Sequence, residues 1–575
     1  HDCCCCGLQL LLGVLLLHAD APSATAFDAL RTMWAEVRRL AADGPEPHEL
    51  DRVRRLLAVR RRRRRESMDG QAMELAAWEA LGDQSYGDAW EARLAACTPH
   101  DVQAALQRWC PADQASVVVY RPRGMAPIGG DADGFARLDA PVSPTPVTPP
   151  PTVPALVRQT DATFVEQRGA MHVFRTGHGV PVLVQRVPGM PMLHLGASLL
   201  GGAAQDPGDQ AGLALLAART MARATLSLDS AAMAATTEWL GGGISASGGA
   251  DTLGWYCSVP PDAAAPAVQL LADVVLRPRL LPETIEVERR LMVVDAAQLR
   301  DDMARWPMRL GLDAAWHGHP YGAPAAGTET SLAGLTPEQV RTWHGAHGRA
   351  AHGVLVCVGD LEPAAAASLL ATAFADWQTT PAPALAPTPW PTAVTQVVDT
   401  RDKKQTAMAM LFPGPARQEA DRETAQLVAA VAGGLGGRIF EELRSRQSLA
   451  YTVQVFTADR RAGGVLGGYL ATAPAREAEA RDGLLAEFAR LVHDPITPDE
   501  LDRARTYVLG THAIRRQSGA AVLGDLLDAW LLGGGLDALD RWAARIAAVT
   551  PEACTALVSR WCDASRRVEG IVRGA

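Results

Sequence analysis

The sequence predicts an α/β protein assembled from repeated units, and three observations along its 575 residues predict it. Apolar runs of strand length alternate with longer stretches in which apolar residues recur at helical spacing. A block near the N-terminus recurs near the C-terminus with its residues in the same order, which is typical of a duplicated unit. Two proline-rich segments, Pro141–Pro154 and Pro381–Pro391, divide the chain and suit neither a helix nor a paired strand.

The repeat is the most specific of these observations. Its blocks are HELDRVRRLL (His48–Leu57), which returns as DELDRARTYVL (Asp499–Leu509), and WEARLAACTPHDVQAALQRWC (Trp90–Cys110), which returns as WAARIAAVTPEACTALVSRWC (Trp542–Cys562). Each copy is predicted to run strand, long helix, long helix, shorter helix and final strand. The final strand would be Ala115–Tyr120 in the first copy and Arg567–Val572 in the second.

The first copy is predicted to be incomplete. In the second copy the segment Gly433–Phe456 precedes a strand at Gly464–Leu470, whereas nothing comparable precedes the apolar run Leu8–Leu17 of the first copy. We therefore expect the front of the first unit to lie before His1. Leu8–Leu17 is shorter than the roughly 20 residues of a membrane span, and no basic segment precedes it. We interpret it as a buried strand and expect no membrane span.

A third unit is predicted between the two proline-rich segments. Its predicted elements are a strand at Leu193–Leu200 and helices at Gln210–Arg223, Asp229–Leu240, Ala263–Leu276 and Glu283–Arg305. The predicted boundaries are 1–124 for the truncated first unit, 125–160 for a proline-rich linker, 161–378 for a complete unit, 379–392 for a second linker and 393–575 for the C-terminal unit.

Composition and charge restrict the class of protein. Apolar residues make up 48% of the chain and charged residues 21%, which is typical of a globular protein. A net charge of −9 argues against nucleic acid as a partner. Of the ten cysteines, four form the run Cys3–Cys6, and the other six show neither the paired spacing of a metal site nor the density of a disulfide scaffold, so cysteine usage leaves the compartment open.

Four landmarks in order carry a resemblance to a known family. They are GGAAQDPGDQAGLALLAARTM, HGHPYGAPAAGTETSLAGLTPEQV, VLVCVGDLEP and GGLGGRIFEELRSRQSLAYTVQVF. With them, Phe164–Ala575 resembles the second half of the pitrilysin/insulinase family of zinc metallopeptidases, and His18–Gly124 resembles the tail of its first half. The resemblance implies repeated two-layer units, each a mostly antiparallel sheet packed with helices. It also implies that two halves close like a clamshell around a peptide-sized chamber.

The last landmark would face the substrate. A glycine cluster leads into a short amphipathic helix with Ile439 and Leu443 on its apolar face, and a strand follows. The resemblance implies that Arg444 and Tyr451 reach into the active site, where a fixed cation and a phenol hydroxyl can stabilise an oxyanion. On the residues alone, Arg444 would be a solvated helix residue and Tyr451 a half-buried strand residue.

The zinc motif of the resembled family is missing from its expected helix. That family carries H-x-x-E-H, in which two histidines one turn apart bind zinc and the glutamate activates the bound water. Here the histidine positions fall on Leu215 and Arg219, and the glutamate position falls on Ala218. Asp295, about where the distant acidic ligand would sit, is then an orphan. We expect no metal site in this half.

The resemblance therefore implies a division of roles. Zinc would be bound outside this chain, in a missing N-terminal half on the same polypeptide or on a partner subunit, and this chain would cradle a peptide or unfolded protein substrate. The leading hypothesis is a zinc-dependent endopeptidase whose substrate-cradling half, inactive alone, is this chain. The alternative is a non-catalytic structural or partner subunit of the same family. A periplasmic or exported location suits bacterial relatives, but the sequence does not decide it.

Two further features are interpreted as structural. The histidine pairs His317/His319 and His344/His347 have no carboxylate at ligand spacing, and we interpret them as a loop and a helix end. The arginine run Arg60–Arg65 is interpreted as a solvated helix face.

Overall fold

The computed structural model describes residues 4–7, 14–121, 123–124, 138, 160–434, 436–450 and 452–574. They fall into two units, His1–Pro151 and Thr152–Ala575, each held together by its own contacts. Helices packed on mostly antiparallel sheets make up the second unit, which confirms the predicted α/β fold class.

Five helices dominate the described part of the first unit. They are α1 (Ala26–Asp43), α2 (Pro47–Arg64), α3 (Met68–Ala80), α4 (Tyr86–Ala96) and α5 (Pro99–Trp109). Within the arginine run Arg60–Arg65, Arg61 is not solvated as predicted. Its side chain is only 10% exposed, and its Nε donates to Glu74 Oε1 of α3 at 2.7 Å. The other arginines of the run are exposed, as predicted for a solvated face.

Both strands predicted for the first unit differ from the structure. Residues 115–120 are not in a strand, and the side chain of Tyr120 is fully exposed. Within Leu8–Leu17, residues Val14–Leu17 form a strand (β2) that pairs only with Cys4–Gly7 (β1) among the described residues. The side chains of β2 are exposed rather than buried. Among the described residues no further strand lies beside this two-stranded ribbon, so the prediction of burial is wrong for Val14–Leu17, whereas residues 8–13 of the predicted strand lie outside the described residues.

A seven-stranded sheet begins the second unit. In chain order its strands are β3 (Thr163–Arg168), β4 (Met171–Arg175), β5 (Pro181–Arg186), β6 (Leu193–Leu200), β7 (Ser245–Gly248), β8 (Thr252–Val259) and, after the two-residue strand β9 (Ala350–Ala351), β10 (Gly353–Gly359). Their spatial order is β3-β4-β5-β10-β6-β8-β7, and only β5 and β10 are parallel neighbours. β9 pairs instead with β11 (Gln378–Thr379). β6 and β10 are buried along their whole length, as expected for strands covered on both faces.

Seven helices share a core with this sheet. They are α6 (Leu213–Met221), α7 (Ser230–Trp239), α8 (Ala264–Leu276), α9 (Pro282–Asp301), α11 (Glu329–Gly334), α12 (Pro337–His347) and α13 (Pro363–Ala373). The predicted helices are confirmed with shifted ends, except that the one predicted to reach Arg305 stops at Asp301. A separate helix, α10 (Arg305–Ala315), begins where that prediction ended.

A five-stranded sheet follows. Its strands are β12 (Thr395–Arg401), β13 (Thr406–Gly414), β14 (Thr452–Asp459), β15 (Gly464–Thr472) and β16 (Val568–Gly574), in the order β12-β16-β13-β15-β14. The final strand predicted at Arg567–Val572 is confirmed as β16, which lies between β12 and β13. Residues 115–120, its counterpart in the first copy, have no such neighbours among the described residues, which explains why they form no strand.

The helices of this last part complete the repeat. They are α14 (Arg422–Gly433), α15 (Arg438–Phe440), a π-helix (Glu441–Arg446), α16 (Glu477–His493), α17 (Pro498–Arg515), α18 (Gly519–Leu531), α19 (Leu536–Ala548) and α20 (Pro551–Trp561). Helices α16–α20 correspond to α1–α5. Each copy therefore has five helices, where the sequence predicted three.

The two sheets of the second unit exchange helices. α10 lies on β13 and β16, and Gly570 lets its backbone come close, because a Cβ there would lie 1.9 Å from Pro307 O. In return α18 lies on β6 and β10 and buries Leu526 against them. Residues 161–378 and 393–575 thus share buried surface, and their predicted boundaries as domains stay predictions.

Among the described helices, none alone has the length and apolar composition of a membrane span. One pair, α18 with α19, reaches that length and composition only together, with a bend of 105° between its helices.

Candidate functional site

Helix α6 carries the three residues that replace a zinc motif. It follows Gly212, whose φ of +96° lies in the left-handed region that favours glycine. The buried carboxylate of Asp206 accepts the N–H groups of Gly212 and Ala214, each at 3.0 Å, and so caps the helix start. Burial raises the pKa of Asp206 to about 7, although these backbone hydrogen bonds act to lower it. The start of α6 is therefore set by a buried acid.

Leu215 and Ala218 present only hydrocarbon at two of the three positions. Ala218 is fully buried, and its carbonyl accepts the indole N–H of Trp255 at 3.0 Å. Leu215 is half-buried and packs beside Gly248 at the end of β7. Neither side chain has an atom that can ligate a metal ion.

Arg219, at the third position, pairs with two carboxylates of α9. Its Nε donates to Glu288 Oε2 at 2.9 Å and its Nη1 to Asp295 Oδ2 at 2.6 Å. Glu288, with a side chain 1% exposed, also lies 2.5 Å from Arg223 Nε. Burial lowers the pKa of Arg219, but the bond to Asp295 and the attraction of Glu288 outweigh it and the net shift is upward. Asp295 is thus no orphan, which corrects that prediction, because the guanidinium supplies the positive charge at this place.

A cleft of about 430 Å³ opens beside α6. It is lined by Leu215, Arg219, Ala222 and Arg223 on one side and by residues 244–248 on the other. Across the part of the chain that the structure describes, no three His, Cys, Asp or Glu side chains are placed to hold a metal ion. The residues of α6 do not fit zinc.

The second candidate region is the segment Gly433–Phe456, which contains a π-helix. The short helix α15 continues directly into the π-helix that carries Arg444. Ile439 and Leu443 are fully buried, which confirms the predicted apolar face. π-helices are rare and occur frequently at functional sites.

The surroundings of Arg444 hold it near the protein surface. Its side chain is half-buried, and its Cζ lies 4.9 Å from the centre of the Phe440 ring in cation–π geometry. Ser448, after the π-helix, has a φ of +49° and is the only non-glycine residue with positive φ in the described chain. Such backbone strain clusters at functional sites. Tyr451 lies outside the described residues, so its position relative to Arg444 stays a prediction.

An ion pair that the sequence reasoning missed anchors this segment. Arg438, the first residue of α15, donates from Nε to Glu500 Oε1 at 2.7 Å and from Nη2 to Glu500 Oε2 at 2.6 Å. The bonds from Arg438 lower the pKa of Glu500 to about 2. Two parallel bonds of this kind fix orientation as well as charge. Glu500 also accepts the N–H of Thr497 at the start of α17, so the start of the motif is tied to that helix.

The histidines singled out in the sequence contact backbone groups. His319 Nδ1 accepts the N–H of Tyr321 at 3.1 Å, and His319 Nε2 lies 3.0 Å from the carbonyl oxygen of Ala386. His344 Nε2 lies 3.1 Å from the carbonyl oxygen of Val275, and burial lowers the pKa of His344. These contacts fit the structural interpretation of both histidines.

Comparison with known proteins identifies the family. A protein-family model described as insulinase (peptidase family M16) matches residues 182–329, and a second family model, described as peptidase M16 inactive domain, matches residues 334–508. Together the two segments cover more than half of the chain. The chain belongs to the insulinase family, M16. The resemblance to this family in the sequence is confirmed.

Relatives and solved structures agree with the M16 assignment. An uncharacterized zinc protease of Streptomyces coelicolor is 24% identical over 295 residues, an alignment that covers 50% of this chain and 64% of that protein. This chain thus spans less than two thirds of that relative's length. A peptidase M16 inactive domain from Pseudomonas fluorescens superposes with a TM-score of 0.65 at 22% identity, covering 70% of this chain and 98% of the other. A chain of complex III2 from Candida albicans superposes with a TM-score of 0.59 at 15% identity, covering 70% of this chain and 95% of the other.

The chain is similar to proteins named as zinc proteases, but its helix α6 has no side chain that can ligate zinc. The missing motif pointed to Leu215, Ala218 and Arg219 in the sequence. It did not point to Glu288, whose carboxylate accepts a hydrogen bond from Arg219 Nε. A signal was present, because Glu288 precedes Asp295 by seven residues and two helical turns place both carboxylates on one face of α9.

Proposed function

We propose that this chain is the substrate-binding half of a zinc-dependent M16 endopeptidase and has no zinc site of its own. The observation that carries the proposal is the guanidinium of Arg219, which lies between Glu288 and Asp295 on a helix without metal ligands. Zinc would belong to the other half, on the same polypeptide or on a partner subunit. The substrate would be a peptide or an unfolded protein segment.

Arg444 and Tyr451 are the proposed contacts to the scissile carbonyl. Support for Arg444 comes from its π-helix, which is fixed by the burial of Leu443 and by the bidentate pair of Arg438 with Glu500. A cation held in this way can stabilise negative charge on a carbonyl oxygen without being reoriented first.

The second candidate function is a structural subunit that binds no peptide. The chain of complex III2 from Candida albicans that shares this fold favours it, since that chain is part of a multisubunit assembly. Under this alternative, Arg444 would be a surface residue of the π-helix without a ligand.

Two measurements on the purified chain test the proposal. The chain with added zinc should not hydrolyse an internally quenched peptide, and metal-dependent cleavage by the chain alone would contradict the proposal. A peptide blocked at both ends should bind, and Arg444→Ala should weaken that binding about tenfold, as expected for the loss of one charge-assisted contact. Arg446→Ala is the matched control, because Arg446 lies on the same π-helix with a side chain 65% exposed. Equal affinities of wild type and Arg444→Ala would favour the structural subunit.

A further inference from the structure

The cleft beside α6 has an open strand edge as one wall. β7 is the last strand of the seven-stranded sheet and pairs only with β8 among the described residues. The turn between them is closed by the N–H of Gly249, which donates to Thr252 O at 2.9 Å. Hydrogen-bonded and non-hydrogen-bonded pairs alternate along an antiparallel ladder. Counting from that turn, Ser247 and Ser245 bond to β8, whereas the backbone groups of Gly248 and Ala246 point to the open edge.

The open edge therefore offers donors and acceptors at regular strand spacing. The described residues offer no hydrogen-bond partner to the backbone groups of Ala246 and Gly248. β7 spans four residues, or about 13 Å, which suits an added segment of four or five residues. An extended peptide can add to such an edge through main-chain hydrogen bonds.

The opposite wall of the cleft is apolar at one end and cationic at the other. Gly248 packs beside Leu215, near the start of α6. Arg219 lies one helical turn further along α6, and Arg223 lies just beyond its end. Leu215 and Ile244 pack on the core of the sheet and would form the floor under alternate side chains of a peptide.

Arg219 and Arg223 both line the cleft, whereas Glu288 and Asp295, which pair with them, do not. The side chain of Arg223 is 51% exposed, so its guanidinium has N–H groups free for a ligand in the cleft. A carboxylate is the complement of this end.

We propose that this cleft binds the C-terminal segment of a peptide, added as an antiparallel strand to β7 with its terminal carboxylate at Arg223. A peptide strand antiparallel to β7 has its C-terminus beside Ser245. This end of the cleft is remote from Gly248 and Leu215, and the arginines lie at it. The binding requires no metal and does not depend on the proposed peptidase role, because neither Arg444 nor Tyr451 takes part.

Binding of a defined peptide to the full chain tests the proposal. The probe is a fluorescein-labelled Lys-Val-Thr-Val-Thr-Val with a free carboxylate, compared with its C-terminal amide by fluorescence anisotropy. Both are measured in the Arg444→Ala background, so that the other proposed peptide site does not contribute. The free acid should bind about tenfold more tightly than the amide. Equal affinities would overturn the carboxylate assignment.

Two substitutions test the two walls of the cleft independently. Arg223→Ala should weaken binding of the acid about tenfold and bring the two probes to similar affinity, whereas Arg290→Ala, at an exposed position of α9, should change neither. Ala246→Pro removes one outward N–H without breaking the β7–β8 ladder, since proline is tolerated where an edge N–H faces solvent. It should weaken both probes at least tenfold, while Ala246→Ser, which keeps the N–H, should not. Unchanged binding in a folded Ala246→Pro variant, checked by its urea midpoint, would overturn strand addition.

Discussion

Arg219 Nη1 lies 2.6 Å from Asp295 Oδ2, and the two residues are 76 positions apart in the chain. A side-chain cation thus neutralises an acid at the place where the resemblance puts a metal ligand. Unlike a bound metal ion, this cation is covalently attached and is always charged. Through this relationship Glu288 and Asp295 have a cationic partner in a helix pair that has no histidine ligands.

Removal of that guanidinium should destabilise the protein. Arg219→Ala leaves the buried Glu288 with Arg223 as its remaining ion-pair partner, and we expect the free energy of unfolding to fall by roughly 3 kcal/mol. Urea unfolding measures the change. Arg290→Ala is the control, because its side chain is 72% exposed and its loss should change stability by less than about 0.5 kcal/mol. A similar small effect of both variants would show that the buried cluster adds nothing to stability.

Restored ligands should convert the cluster into a metal site. In the double variant Leu215→His and Arg219→His, two histidines one turn apart join Asp295 as ligands, and zinc should bind near stoichiometrically. Metal analysis after dialysis measures the content. The variant that lacks only Leu215→His should retain much less zinc, since it has one histidine fewer. Equal zinc in both variants would indicate binding elsewhere.

The Arg438–Glu500 pair predicts a dependence of stability on acid. The pKa of Glu500 is about 2 in the folded chain, below the ordinary value of 4.5, so its contribution is complete above about pH 4.5 and is lost as the pH falls towards 2. Glu500→Gln should lower the free energy of unfolding by roughly 2 kcal/mol at pH 7, and the gap to wild type should narrow below pH 4. Paired denaturation curves at pH 7 and pH 3 measure it. Glu479→Gln, at an exposed ion pair, should show little difference at either pH. If the difference in free energy of unfolding between wild type and Glu500→Gln does not change with pH, the ionised carboxylate of Glu500 is not its cause.

The helix exchange predicts opposite effects at two glycines. Gly570→Ala places a Cβ 1.9 Å from Pro307 O, so α10 must move off the second sheet and we expect a loss of several kcal/mol, about 3 or more. Gly510→Ala lies within α17 with open space around the new methyl group and should raise stability by up to about 1 kcal/mol. Thermal unfolding compares the two variants. Two changes of the same sign would rule out close approach of α10 as the cause.

The repeat shows where prediction from sequence reached its limit. Leu75 of α3 and Leu526 of α18 hold equivalent positions in the two copies, yet the first is 53% exposed and the second 1%. The helical pattern that places both residues is local and could be predicted. Their burial depends on whether a sheet lies against the helix, and such contacts join residues far apart in the chain.

The same limit applies to the candidate sites. The replacement of the zinc motif by Leu215, Ala218 and Arg219 was visible as an absence of ligands, since chemistry follows residue type. The partner Glu288 and the anchor Arg438–Glu500 were not found, because each pair joins separate elements. The strain at Ser448 and the π-helix before it also escaped prediction, because no local signal distinguishes them from an ordinary helix end.

By itself the sequence determined the family, the α/β class, the duplication and the loss of the metal ligands, since each depends on residue types and spacings along one chain. Only the tertiary structure decided that Arg219 is held by Glu288 and Asp295, that α10 and α18 cross to cover each other's sheet, and that β7, paired only with β8 among the described strands, has an open edge beside two arginines. Those outcomes depend on which distant surfaces meet when apolar area is buried, and the burial of one element is defined only by the others that cover it.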